Sequence, residues 1–98
     1  YHVWNQFSLR VPGGRRDALR AHLQQQQIGT EIYYPIPLHE QACYRELGYG
    51  VGSLPHTESA AREILHLPIY PELTESEQVR VVESISNYFA ESYARAVA

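Results

Sequence analysis

Tyr33, Tyr34 and His39 are the side chains whose surroundings best equip them for chemistry. They lie in the stretch Gly29-Thr-Glu-Ile-Tyr-Tyr-Pro-Ile-Pro-Leu-His39-Glu-Gln41. Thr30, Ile32 and Tyr34 alternate with Glu31 and Tyr33 at the period that marks a strand. Pro35 and Pro37 then force the chain out of regular structure, because each removes a backbone donor and holds the preceding residue extended. Phenols and an imidazole presented from such a stiff loop can hydrogen-bond a ligand at the strand end. The same alternation would let the two tyrosines straddle a sheet, one buried and one exposed. Residue chemistry alone leaves both readings open.

Other constellations are weaker. His2, His22, His39, His56 and His66 show no short-range pairing and no cysteine partner at ligand spacing, so no metal site is expected. No Ser-His-Asp or Cys-His signature is present, and Cys43 reads as a small buried residue of a short helix. Gly48, Gly50 and Gly52 are not followed by a strand-to-helix turn, so they mark a mobile loop rather than a phosphate cradle.

The elements that must position these residues can be read along the chain. Val3, Asn5, Phe7, Leu9 and Val11 alternate with polar or aromatic neighbours, giving a first strand over 3–11 that Pro12-Gly13-Gly14 breaks. Residues 15–26 read as a helix with Leu19 and Leu23 on one face and Asp17 in its first turn, ended by Ile28-Gly29. The second strand, 30–34, follows. Residues 41–47 suit one or two helical turns, and Thr57 is expected to cap a short helix through Leu65, with Ala61, Ile64 and Leu65 inward. A third short strand spans 65–69, cut off by Pro71. Thr74-Glu-Ser-Glu77 is a capping box, and the helix it starts carries Val79, Val82, Ile85 or Ser86, Phe89 and Tyr93 at helical spacing to about Tyr93 or Ala94. Strands and helices in this order predict an α+β fold, a small sheet with helices packed on one face.

Composition narrows the function. Ninety-eight residues make one small domain, able to bury about two thirds of its unfolded surface. No apolar run is long enough to span a membrane, and no secretory signal pattern stands at the start. The first residues already read as strand, so the chain is expected to begin inside a fold. A net charge of -3 with scattered arginines offers no basic stripe for nucleic acid. One cysteine excludes an internal disulfide and fits a cytoplasmic setting. All eight basic residues are arginines, so the chain contains no lysine.

Taken together, Val3 to Val11, Arg16-Asp-Ala-Leu19, Ile28-Gly29, Tyr34-Pro-Ile-Pro-Leu-His39, Leu67-Pro-Ile-Tyr-Pro-Glu-Leu-Thr74 and the closing segment Glu75 to Tyr93 resemble the DegT/DnrJ/EryC1/StrS family. These are pyridoxal-phosphate (PLP)-dependent sugar aminotransferases of the type I fold. The resemblance covers nearly the whole chain, in order, and matches the C-terminal small domain, whose sheet is antiparallel. It implies a homodimeric, cytoplasmic enzyme that takes an amino group from glutamate or glutamine and places it on a nucleotide-linked keto-sugar. PLP needs a lysine amine for its Schiff base. No residue of this chain can fill that role, so the resemblance implies a fragment, inactive alone, whose catalytic lysine lies in an absent large domain.

Tyr33, Tyr34, His39 and Asn5 are the expected substrate- or cofactor-facing residues, and none is expected to be catalytic. Tyr34 matches the family aromatic. Tyr33 stands where the family most often has histidine, so a neutral phenol replaces a proton carrier. His39 fits the family position after Pro-Leu, with a loop-fixing role as its alternative. Asn5 and Gln6 lie where the family often has histidine or asparagine, and strand alternation would let only one of them reach the site. His66, before Leu67-Pro68, reads as structural. Two other functions stay open: a stand-alone α+β ligand-binding or oligomerisation module, and a family member that dehydrates or regulates instead of transaminating. The face that would meet a large domain is apolar, so the isolated chain is expected to self-associate.

Overall fold

A computed structural model describes residues 1 and 3–97. Strand β1 (Phe7–Arg10) leads into helix α1 (Arg16–Gln25). Two 3₁₀ turns follow, Leu38–Glu40 and Ala42–Leu47, then helix α2 (Pro55–Glu63), strand β2 (Ile64–Leu67) and the long helix α3 (Glu75–Val97). The sheet is antiparallel and two-stranded, in the register Phe7↔Leu67, Ser8↔His66, Leu9↔Leu65 and Arg10↔Ile64. The expected α+β class with a small antiparallel sheet is therefore what forms.

The strands are shorter than their alternation suggests. β1 begins at Phe7 rather than Val3, since its partner β2 ends at Leu67. The next residue there is Pro68, where the regular strand ends. The second expected strand reduces to one bridge, in which Glu31 and His66 exchange backbone hydrogen bonds of 3.1 and 2.9 Å. Pro35 and Pro37 lie just beyond it and deny that segment the donors a longer ladder needs.

Leu19, Leu23 and Leu65 are fully enclosed and, with Val11 and Ile28, make the core. Val81, Ile85, Tyr88 and Phe89 of α3 close over it. The buried face of α1 is the one its leucine spacing predicts. That of α3 is rotated from expectation: Ile85 and Phe89 face in, but Val79, Val82 and Tyr93 are exposed. Two apolar stripes run along this helix at helical spacing, and α1 covers only one. His22 Nε2 lies 3.2 Å from the Ser84 carbonyl, and the Arg15 guanidinium lies 4.9 Å from the Phe89 ring centroid, so polar groups pin the same α1–α3 seam.

Four local expectations change. Thr57 does not cap α2, because Pro55 takes the first helical position and starts the helix before it. α2 stops at Glu63, leaving Ile64 and Leu65 to β2. Cys43 is exposed, on a 3₁₀ turn that buries no residue. The left-handed residue closing α1 is Gln27 (φ 60) rather than Gly29, and the Ile28 amide returns to the Leu23 carbonyl at 2.9 Å.

The capping box of α3 forms as expected. The Thr74 amide donates to Glu77 Oε2 at 2.8 Å, and the Glu77 amide donates to Thr74 Oγ1 at 3.3 Å. The Thr74 amide, then the Thr74 hydroxyl, hold the Glu77 carboxyl below its ordinary range, with burial opposing them. A lowered folded pKa means that this contribution to stability is present above the ordinary carboxylate range. It is lost as pH falls through the folded value. Thr74→Ala is expected to cost about 1 kcal/mol in denaturant unfolding near neutral pH. The gap between variant and parent should narrow in acid; a gap independent of pH would remove Glu77 from the cap.

Candidate functional site

The pairing of Glu31 with β2 carries Tyr33 to one end of the sheet, beside His66. The rings meet edge-on, with centroids 4.6 Å apart and planes at 68°. The His66 backbone is held on one side by Ser8 and on the other by Glu31. Its Nδ1 lies 3.1 Å from the Glu31 carbonyl, which can only accept, so Nδ1 donates in this contact. Asn5, Gln6, Thr30, Tyr33, His66 and Tyr70 border an open recess of about 230 Å³ here.

Tyr33 and Asn5 therefore share one site. Gln6 joins them, against the expectation that only one of the pair would reach it, because the chain has left the strand before Phe7 and period-two geometry no longer applies. Tyr34 lies outside the recess and is 67% exposed, against 50% for Tyr33, so neither tyrosine is buried. His39 is elsewhere, buried where the Leu38–Glu40 turn meets α2.

His66, Thr30 and Tyr70 are recess residues that the sequence reading did not select. Strand alternation could have found His66, since it must face away from core residue Leu65. Nothing local announces Thr30 or Tyr70.

Beside Glu31, the residues lining the recess include amides at Asn5 and Gln6, a hydroxyl at Thr30, phenols at Tyr33 and Tyr70, and an imidazole at His66. Such groups can orient polar atoms of a ligand. They include no amine and no guanidinium, so these residues do not fit the covalent and phosphate-holding parts of a PLP site.

A two-stranded antiparallel sheet backed by α1 and α3, with an aromatic-edged polar recess at its end, defines an α+β domain. The chain belongs to the DegT/DnrJ/EryC1/StrS aminotransferase family, whose model matches residues 1–86. It is 48% identical over 89 residues to a pleiotropic regulatory protein of Geobacillus stearothermophilus, covering 91% of this chain and 23% of that protein. It is 40% identical over 86 residues to the dTDP-3-amino-3,4,6-trideoxy-alpha-D-glucose transaminase of Streptomyces venezuelae, covering 88% of this chain and 22% of that one. Among solved structures it is similar to S. venezuelae DesV in complex with a ketimine intermediate, with a TM-score of 0.79, 39% identity and coverage of 87% and 22%. A Brucella abortus aminotransferase of the family gives a TM-score of 0.75 at 38% identity, with the same coverage. The chain thus spans about a fifth of the length of the curated relatives it matches.

Proposed function

We propose that this chain is the C-terminal small domain of a PLP-dependent aminotransferase acting on a nucleotide-linked keto-sugar, with glutamate or glutamine as amino donor. The observation that carries this reading is the family match over residues 1–86, ending in a recess of sugar-compatible hydrogen-bonding groups. In this reading PLP, its lysine and its phosphate contacts belong to a large domain outside these residues. Bound there, the cofactor supplies the electron sink for amino transfer. Residues of this chain bind and orient the sugar: Tyr33 offers a hydroxyl proton, and Asn5 an amide that both donates and accepts. Tyr34 keeps its proposed place at the outer lip, whereas His39, buried away from the recess, takes its alternative role of fixing the loop.

The enzyme works as a cytoplasmic homodimer in this proposal, in keeping with a single free cysteine and with no described helix long and apolar enough to cross a membrane. The apolar groove lined by Phe7, Ile69, Tyr70, Leu73 and Val82 is assigned to contact with the large domain, and its exposure would make the isolated chain self-associate.

The test is glutamate-dependent amination of dTDP- and UDP-linked keto-sugars by the full-length protein, read by mass spectrometry. An aminated product supports the reading. Intact keto-sugar with every donor favours a regulatory, non-transaminating member, a second reading supported by the similarity to a pleiotropic regulatory protein.

A further inference from the structure

His39, Glu40 and Glu58 meet away from the Tyr33 recess, where the Leu38–Glu40 turn packs against the first turn of α2. We propose that these three side chains bind a divalent first-row cation, zinc above all, through His39 Nε2 and one carboxylate oxygen each from Glu40 and Glu58. The inference is independent of the reading above.

Spacing is the first argument. His39 Nε2 lies 3.7 Å from Glu40 Oε1 and 3.8 Å from Glu58 Oε1. A charge-assisted hydrogen bond would hold such atoms about 2.7–2.9 Å apart. A tetrahedral zinc with bonds of about 2.0–2.2 Å separates neighbouring ligand atoms by about 3.3–3.6 Å. The three candidate ligand atoms all lie within 4.8 Å of one another, so a contraction of tenths of an ångström at the two histidine edges brings them toward coordination distance.

The second argument is an unmet need. His39 is 7% exposed, and both its ring nitrogens are buried without a hydrogen-bond partner. A buried polar atom left unpaired is costly. Here Nε2 points between two carboxylates, one of them 5% exposed. An imidazole ligates in its neutral form, so with two carboxylates the ligand set would carry a charge of about -2, which a divalent cation cancels.

The surroundings favour ligation. The Gly52 amide donates to Glu58 Oε1, fixing the carboxylate while leaving it lone pairs for a metal. An apolar pocket of about 550 Å³, lined by Leu38, His39, Tyr44, Leu47 and Tyr49, borders the site. A fourth position would be left to water. Five histidines at irregular spacing gave no sign of this group, because its third member arrives from a separate helix.

The test uses the full-length protein stripped by chelation and titrated with Zn²⁺ in a calorimeter, with Co²⁺ as the spectroscopic probe. One Zn²⁺ per chain, a raised melting temperature and visible Co²⁺ bands of low coordination number are expected. His39→Gln and Glu40→Gln should each weaken binding roughly tenfold or more. Glu40 is the partly exposed ligand, so its variant keeps the fold even where His39→Gln does not. No saturable Zn²⁺ binding by the parent would overturn the proposal, and so would binding that Glu40→Gln leaves unchanged.

Discussion

Leu65→Ala is expected to destabilise the protein by about 2–5 kcal/mol, a large share of the roughly 5–15 kcal/mol that holds a domain folded. Leu65 is fully enclosed and lies on β2 opposite Leu9, so its side chain joins the sheet to the α1–α3 layer. Truncation loses the transfer energy of the removed carbons and leaves a cavity among Leu19, Leu23 and Val11. Among the described residues the core is five buried apolar side chains with a partly buried rim, so little surrounding mass can collapse into the gap. Chemical denaturation read by circular dichroism measures the loss. A change below about 1 kcal/mol would mean that Leu65 is not the centre of the core.

The second large effect is at the recess. Tyr33→Ala in the full-length enzyme is expected to lower kcat/KM for the nucleotide-sugar by roughly 10- to 100-fold, combining a lost hydroxyl contact with a lost ring that braces His66. Tyr33→Phe keeps the edge-on contact at 4.6 Å and removes the hydroxyl alone. It should cost about 3- to 10-fold, the worth of one hydrogen bond. Tyr33 is half exposed, so neither variant should lower the melting temperature appreciably. Steady-state kinetics on both variants separates ring from hydroxyl. Parental kcat/KM in Tyr33→Ala would take Tyr33 out of the site.

The parts of this fold legible in the sequence are those fixed by near neighbours. The capping box at Thr74 and Glu77 needs only residues three apart, and it formed as read. The inner face of α1 was legible because Leu19 and Leu23 are its only large apolar residues. Strand lengths were not, since β1 can be no longer than the partner that Pro68 ends. The rotation of α3 was hidden for a related reason. Its two apolar stripes look alike in sequence, and only the position of α1 selects Val81, Ile85, Tyr88 and Phe89.

The candidate site divides in the same way. The Tyr33 position followed from strand and proline signals, whereas its contact with His66 depends on one bridge at Glu31. His39 and Glu58 are brought together by a turn and a helix that sequence spacing does not relate.

The most direct test of the central claim is the absorbance spectrum of the full-length protein with added PLP, before and after glutamate. The proposal predicts a visible band from lysine-bound cofactor that glutamate bleaches and a keto-sugar acceptor restores. A protein that develops no such band, or one indifferent to glutamate, would contradict transamination and leave the Tyr33 recess as a binding site of another kind.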